Sequence, residues 1–353
     1  MAQPELATCH FIVPHPKQAK FMVVKHSDGR WQPPKVQFPA DTTPRQHVAE
    51  LQEALLRNYG LEATLLRHWH DTREYHCVEV ELRPKGVTRK MHAAWVGEKE
   101  YSDFLAQTGR AASGTPSKKD PFQRWLDEQS AGASSEPRQP WEQPGWFNYA
   151  SDWIHREVLS RGMELSGSIR QVSALWRDSC VLSVNTSAGK VYFKASAPEA
   201  VNEAKLTAAL AEQFPNRVAQ PLVIHETLPW MLSLDLGAPI GKDIELRDQQ
   251  QLLYALADLQ IKTAASSKEW LALGVPRISL SDTAEFLMGI ERQREFLSGF
   301  IELNDQQFGL LRAHCVQMSI LCRDLAQGAV PECLVHPDFK PTNTFRRDNG
   351  FWL

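Results

Sequence analysis

Leu334-Val-His336-Pro-Asp338-Phe-Lys340-Pro-Thr-Asn343 is the stretch on which the reading of this chain turns. A short apolar strand is expected to deliver His336, with Asp338 two residues later and Asn343 five further on. Phosphoryl transfer to an alcohol needs a carboxylate near the attacking hydroxyl and an oxygen ligand for the metal that bridges the nucleotide phosphates. One tight loop supplies both if Asp338 and Asn343 converge from its two ends. The competing reading is a surface turn in which Asp and Asn serve only turn geometry.

Upstream, Val191-Tyr192-Phe193-Lys194 ends a strand in a lysine, and Glu203 lies in the helix expected over 198–213. Taken alone, such a pair reads as a lysine stem covering apolar surface and a solvated helix glutamate. The order of parts argues for more: strand lysine, helix glutamate, two strands, a helical block, then H-x-D-x-x-x-x-N. Loop and order together resemble the aminoglycoside phosphotransferase/choline kinase-like family, which has a protein-kinase-like fold, over residues 146–353.

The resemblance implies an ATP- and Mg²⁺-dependent phosphotransferase acting on a hydroxyl of a small-molecule acceptor. Asp338 would orient or deprotonate that hydroxyl, with His336 and Lys340 as the other catalytic positions and Lys340 balancing γ-phosphate charge. Asn343 would ligate Mg²⁺, Lys194 would hold the phosphates and Glu203 would position Lys194. The turn Trp176-Arg177-Asp178-Ser179 takes the place of a Gly-rich loop, with backbone N–H groups and the Ser179 hydroxyl facing phosphate. The strand 231–237, with Ser233, falls where the family's hinge meets the adenine.

The family also carries a second metal-binding Asp, on an apolar strand of the type F-W-L-I-D that follows the loop. Here Arg346-Arg347-Asp348-Asn349-Gly350 reads as a polar turn, followed by Phe351-Trp352-Leu353, and Asp348 at the hairpin tip is a poor substitute. The expectation is a kinase-like domain incomplete at its C-terminus, with weak Mg-nucleotide binding and no turnover.

At 353 residues the chain has room for two or three domains, and 42% hydrophobic against 23% charged residues excludes wholesale disorder. A formal net charge of −3 argues against a nucleic-acid partner. No apolar run is long enough to span a membrane and the start lacks a signal-peptide pattern, so no membrane association and a cytoplasmic location are expected. The six scattered cysteines suggest no disulfide framework. Residues 107–145, rich in Gly, Ser, Pro and Ala, read as a linker, and the patch Phe122, Trp125 and Leu126, at helical spacing, reads as a transient solvated turn in preference to one docked on a neighbouring domain.

Before the linker, strands are expected at 9–13, 20–25, 75–82 and near 91–96, and one amphipathic helix over 43–58. Thr43 is its N-cap, Pro44 its first residue and Gly60 its stop, with Val48, Leu51, Leu55 and Leu56 buried. The run 20–61 is similar to a Nudix domain around its signature helix. That signature uses paired glutamates to hold Mg²⁺, and aligned on Gly60 and Leu61 those positions hold Arg57 and Asn58. Ala54 replaces another signature Glu, and Glu53 stands at the Arg position. The resemblance therefore implies a degenerate Nudix-like domain kept for binding or packing. His68, His70, His76 and Cys77 could also be combined into a zinc site, although strand histidines usually face solvent.

After the linker, a helix over 151–161 precedes strands at 169–175, 180–185, 190–195, 222–225 and 231–236, then helical blocks at 248–265, 281–300 and 304–326. The fold class is therefore α+β. A small Nudix-like α/β/α domain (1–106) and a linker (107–145) lead to a kinase-like N-lobe (146–236) and C-lobe (237–353). Two alternatives stand beside the kinase reading. One is a catalytically silent nucleotide-binding regulatory or adaptor protein; the other, disfavoured by Arg57 and Asn58, is a Nudix-type diphosphohydrolase.

Overall fold

The computed structural model describes residues 5–26, 28–70, 75–88, 91–108, 120–132, 134, 136–241, 244–294, 297, 303–328, 331–347 and 350–352. The chain folds as two compact units, residues 1–204 with 220–235, and residues 205–219 with 236–353.

In the first unit, β1 (Leu6–Ile12) lies between β4 (Lys35–Pro39), antiparallel, and β6 (Tyr75–Val87), parallel. β6 pairs antiparallel with β5 (Leu61–His70). A second sheet runs β3 (Trp31–Gln32), β2 (Lys20–Lys25), β7 (Ala93–Gly97). Strand alternation sorts side chains between two layers. Met22, Val24, Val78 and Val80 join the cluster with helix α1 (Val48–Tyr59), whereas Phe21, Val23 and Cys77 join the one with α2 (Glu98–Thr108) and α3 (Pro121–Ala131). The result is helix, sheet, helix.

Two expectations for this region need correcting. Thr43 and Pro44 begin a separate 3-10 turn over Pro44–Gln46, and the α-helix itself starts at Val48. It stops at Gly60, whose φ of 64° suits glycine. Leu56 is 42% exposed, and Ala54 is buried in its place.

Residues 120–131 are not a solvated linker. Asp120 accepts a hydrogen bond from the Phe122 N–H, Pro121 occupies the first turn, and Gly132 ends α3 in the left-handed region. Phe122, Trp125 and Leu126 are each 1% exposed, against Ile12, Phe21 and Trp69. Trp125 Nε1 donates to Glu79 Oε1 at 3.0 Å, and Arg67 pairs with Glu128 at 3.2 Å, all four being buried residues. Averaging composition over 107–145 hides this, because one short helix is flanked by Gly, Ser and Pro.

The first unit continues with α4 (Trp146–Ser160) and an antiparallel sheet in the order β11 (Val223–Ile224), β12 (Trp230–Leu234), β10 (Gly189–Ser196), β9 (Ser179–Thr186), β8 (Arg170–Ser173). Trp146, Trp153, Ile154 and Val158 of α4 pack with Leu182, Phe193 and Leu232 of the sheet.

Helix α5 (Glu203–Gln213) begins at Glu203, not at residue 198. The second unit then holds α6 (Leu246–Thr263), α7 (Ser267–Ala272), α8 (Leu280–Met288) and α9 (Asp305–Ala326). β13 (Phe345–Arg347) and β14 (Gly350–Trp352) form a hairpin, and Phe351 is buried with Leu252 and Ala255 of α6. Leu334 and Val335, expected as a short strand delivering His336, have no regular structure; the Leu334 N–H donates to Thr263 Oγ1 at 3.2 Å instead. Asp348 and Asn349 lie outside the described residues. No helix among the described residues is long and apolar enough to cross a membrane.

Candidate functional site

The sequence places its candidate residues in two groups, one in each unit. In the first unit, Lys194 sits on the central strand β10, opposite Val181 of β9 and Met231 of β12. Its Nζ lies 2.5 Å from Glu203 Oε1, at the first residue of α5. The second oxygen of Glu203 accepts from Ser196 Oγ at 3.2 Å, so the carboxylate is held from two directions. Ser196 was not legible as a participant, although its i, i+2 relation to Lys194 places both on one face of the strand.

Register extends that face. Directly opposed residues of antiparallel strands project to the same side, so Ser179 (opposite Ser196) and Ser233 (opposite Tyr192) share the Lys194 face. The other face carries buried Val191, Phe193 and Ala195 and packs in the α4 core. The candidate nucleotide face is thus the one that α4 leaves uncovered.

The Trp176–Ser179 turn is anchored at several points. Trp141 Nε1 donates to the Trp176 carbonyl at 3.0 Å, and the Ala197 N–H donates to the Asp178 carbonyl at 2.9 Å. Arg45 stacks over the Trp176 ring at 5.1 Å, Arg177 pairs with Glu136 at 3.6 Å, and Leu175 is buried in the α1 core. The residues expected to face phosphate are therefore carried on a turn fastened to the N-terminal layers.

In the second unit, the two ends of the 336–343 segment come together. Asn343 Nδ2 donates to Asp338 Oδ2 at 2.7 Å and to the Asp338 carbonyl at 3.0 Å. Lys340 Nζ lies 2.8 Å from the same Oδ2, and the Asp338 N–H donates to His336 Nδ1 at 3.2 Å. Pro341 starts a 3-10 turn over Pro341–Asn343 that fixes the return, and the Ile240 N–H donates to the Thr344 carbonyl at 2.9 Å behind it. Hydrogen bonds from Lys340 and Asn343, then the Lys340 and His336 charges, hold the Asp338 carboxyl below the usual carboxylate range. A carboxylate made less basic in this way suits orienting a hydroxyl better than removing its proton from the ground state. With its Nδ2 turned to Asp338, Asn343 retains Oδ1 as the hard oxygen donor that Mg²⁺ prefers.

Of the Nudix-signature positions, Ala54, Arg57 and Asn58 line a cavity with Glu50, and Glu53 is exposed, 3.9 Å from Arg170. His76 is 2% exposed and not solvated; its Nδ1 lies 3.1 Å from His68 Nε2. The described residues contain no cluster of three or more His, Cys, Asp or Glu able to hold a metal.

No family model matches the sequence, and no curated protein matches it. Structural neighbours include an ethanolamine kinase from Plasmodium vivax, at 13% identity and a TM-score of 0.36, over 73% of this chain and 67% of that one. A Nudix hydrolase from Nitrosomonas europaea matches at 13% identity and 0.25, over 39% and 78% of the two chains. A chain of the complex between the C-terminal domain of mouse MUTYH and human PCNA matches at 15% and 0.23, over 38% and 94%. Similarity at this level assigns no residue a role, so function is argued from the side chains.

Proposed function

We propose that the chain is an ATP-dependent phosphotransferase of the aminoglycoside phosphotransferase/choline kinase-like type, acting on a hydroxyl of a small molecule. The observation that carries the reading is the closure of Asp338 and Asn343 on each other, with Lys340 on the same carboxylate oxygen. The Lys194–Glu203 ion pair supports it independently.

In this reading Lys194, held by Glu203 and Ser196, neutralises the nucleotide phosphates, and Asp338 accepts a hydrogen bond from the acceptor hydroxyl and aims its oxygen. The new bond joins that oxygen to the γ-phosphorus, the bond from γ-phosphorus to the β–γ bridging oxygen breaks, and the hydroxyl proton passes to Asp338. Lys340 balances charge on the transferred group. Mg²⁺, held through Asn343, would supply electrostatic stabilisation of the phosphates.

Nucleotide binding tests this without knowledge of the acceptor. ATP with Mg²⁺ is expected to displace a fluorescent ATP analogue, and Asp338→Ala is expected to leave that displacement within about twofold while removing any acceptor-dependent ATP consumption. No displacement by ATP, or acceptor-dependent consumption by the wild type that Asp338→Ala leaves unchanged, contradicts the proposal.

Arg57 and Asn58 at the metal-binding positions of the Nudix-like helix favour a second reading, in which both domains are catalytically silent. A silent nucleotide-binding protein would bind ATP with no consumption for any hydroxyl acceptor, and Lys340→Ala would not restore it.

A further inference from the structure

A cavity of about 790 Å³ opens in the first unit between α1 and β4, within the size range of small-molecule sites. The phosphotransferase reading uses none of its residues. The sequence resemblance would put a metal-binding acidic helix here, yet the lining cations, Lys35 and Arg57, outnumber the one acid, Glu50, with His26 and His47 beside them.

Part of the remaining wall is apolar, with Val36, Phe38, Pro39, Leu51 and Ala54. Phe38 and Leu51 are buried side chains, and the Tyr59 hydroxyl both donates to the Lys35 carbonyl (2.9 Å) and accepts from the Lys35 N–H (3.1 Å). The aromatic wall is thus fixed to the Lys35 backbone, while the Lys35 ammonium donates to Gln32 Oε1 at 2.6 Å. His26 packs edge-on to Tyr59, with ring centroids 6.3 Å apart. Its Nε2 is shielded from solvent and makes no hydrogen bond of ordinary geometry among the described residues, with the Pro33 carbonyl near the ring, so a ligand atom there adds a bond. Burial, with a contribution from Lys35, lowers the pKa of this imidazole. His47 is oriented by Thr42, 2.8 Å from its Nε2.

We propose that this cavity binds a phosphorylated aromatic small molecule, of the nucleoside monophosphate class, without a divalent cation. Arg57 and Lys35 meet the phosphate, and Phe38 and Tyr59 meet the ring. Arg57 takes over by direct charge-assisted hydrogen bonding what a bridging metal would otherwise do.

Calorimetric titration of the full chain with AMP in EDTA tests this, with Arg57→Glu and Lys194→Ala as variants. Arg57 is exposed and bears no packing load, and an unchanged melting curve checks the fold of its variant. The expected result is binding in EDTA that added Mg²⁺ does not strengthen, weakened about tenfold or more by Arg57→Glu and unchanged by Lys194→Ala. The last variant separates this cavity from the phosphotransfer site, so either assignment can fail alone. No AMP binding in EDTA, binding that requires Mg²⁺, or binding indifferent to Arg57→Glu overturns the proposal.

Discussion

The side chain of Gln171 completes the hydrogen bonding of Leu65: its Oε1 accepts from the Leu65 N–H at 2.8 Å and its Nε2 donates to the Leu65 carbonyl at 2.9 Å. One amide side chain on β8 thus imitates the backbone of a neighbouring strand, and Gln52 of α1 donates to the same Oε1 at 2.9 Å. Gln171 is 2% exposed, so these bonds have no water to replace them. The N-terminal layers and the five-stranded sheet are joined through this contact.

Gln171→Leu keeps the volume and removes both bonds, leaving the buried Leu65 N–H and C=O without partners. The expected loss is about 2–6 kcal/mol, at about 1–3 kcal/mol for each of the two orphaned groups. Urea denaturation checks it, and a midpoint equal to that of the wild type would show that Gln171 contributes nothing.

Trp125→Ala removes the largest side chain of α3 from the core and the hydrogen bond to Glu79. A loss of about 3–5 kcal/mol is expected, with faster proteolytic cleavage within 120–145. If this segment were a dispensable linker, the substitution would leave stability and cleavage unchanged.

The Asp338 carboxyl, held low by Lys340 and Asn343, gives a signed pH prediction. A depressed folded-state pKa favours the folded state above the ordinary carboxylate pKa of about 4, and that advantage is lost as pH falls through the lower folded value. A ¹³C NMR titration should place Asp338 below the other exposed aspartates, and Lys340→Ala should return it towards them. An ordinary Asp338 value in the wild-type chain would show that the loop is open in solution.

Legibility followed how local each signal was. The 336–343 loop could be read because its chemistry sits within eight consecutive residues. Lys194 and Glu203 could be paired because strand and helix follow each other closely. Of the long β5 strand only the end carrying His68 and His70 was read as strand: Leu61, Ala63, Leu65 and Leu66 are buried on both of its faces, which erases the alternation that reveals a half-exposed strand. Ala54 displaced Leu56 from the helix core because the fit against the sheet, not hydrophobicity alone, decides which side chain is buried. Gln171 carries no local pattern at all, since its partners Leu65 and Gln52 are far away in sequence.

The most direct test of the central claim is chemical labelling of the phosphate-facing lysine. An acyl-phosphate derivative of ATP transfers its acyl group to an amine held beside the phosphates, forming an amide and releasing ATP. With Mg²⁺ present, peptide mass spectrometry should find Lys194 acylated, with labelling suppressed by excess ATP and lost in Lys194→Ala. Labelling spread over exposed lysines such as Lys190 and Lys262, with Lys194 unmodified or unaffected by ATP, would contradict the account.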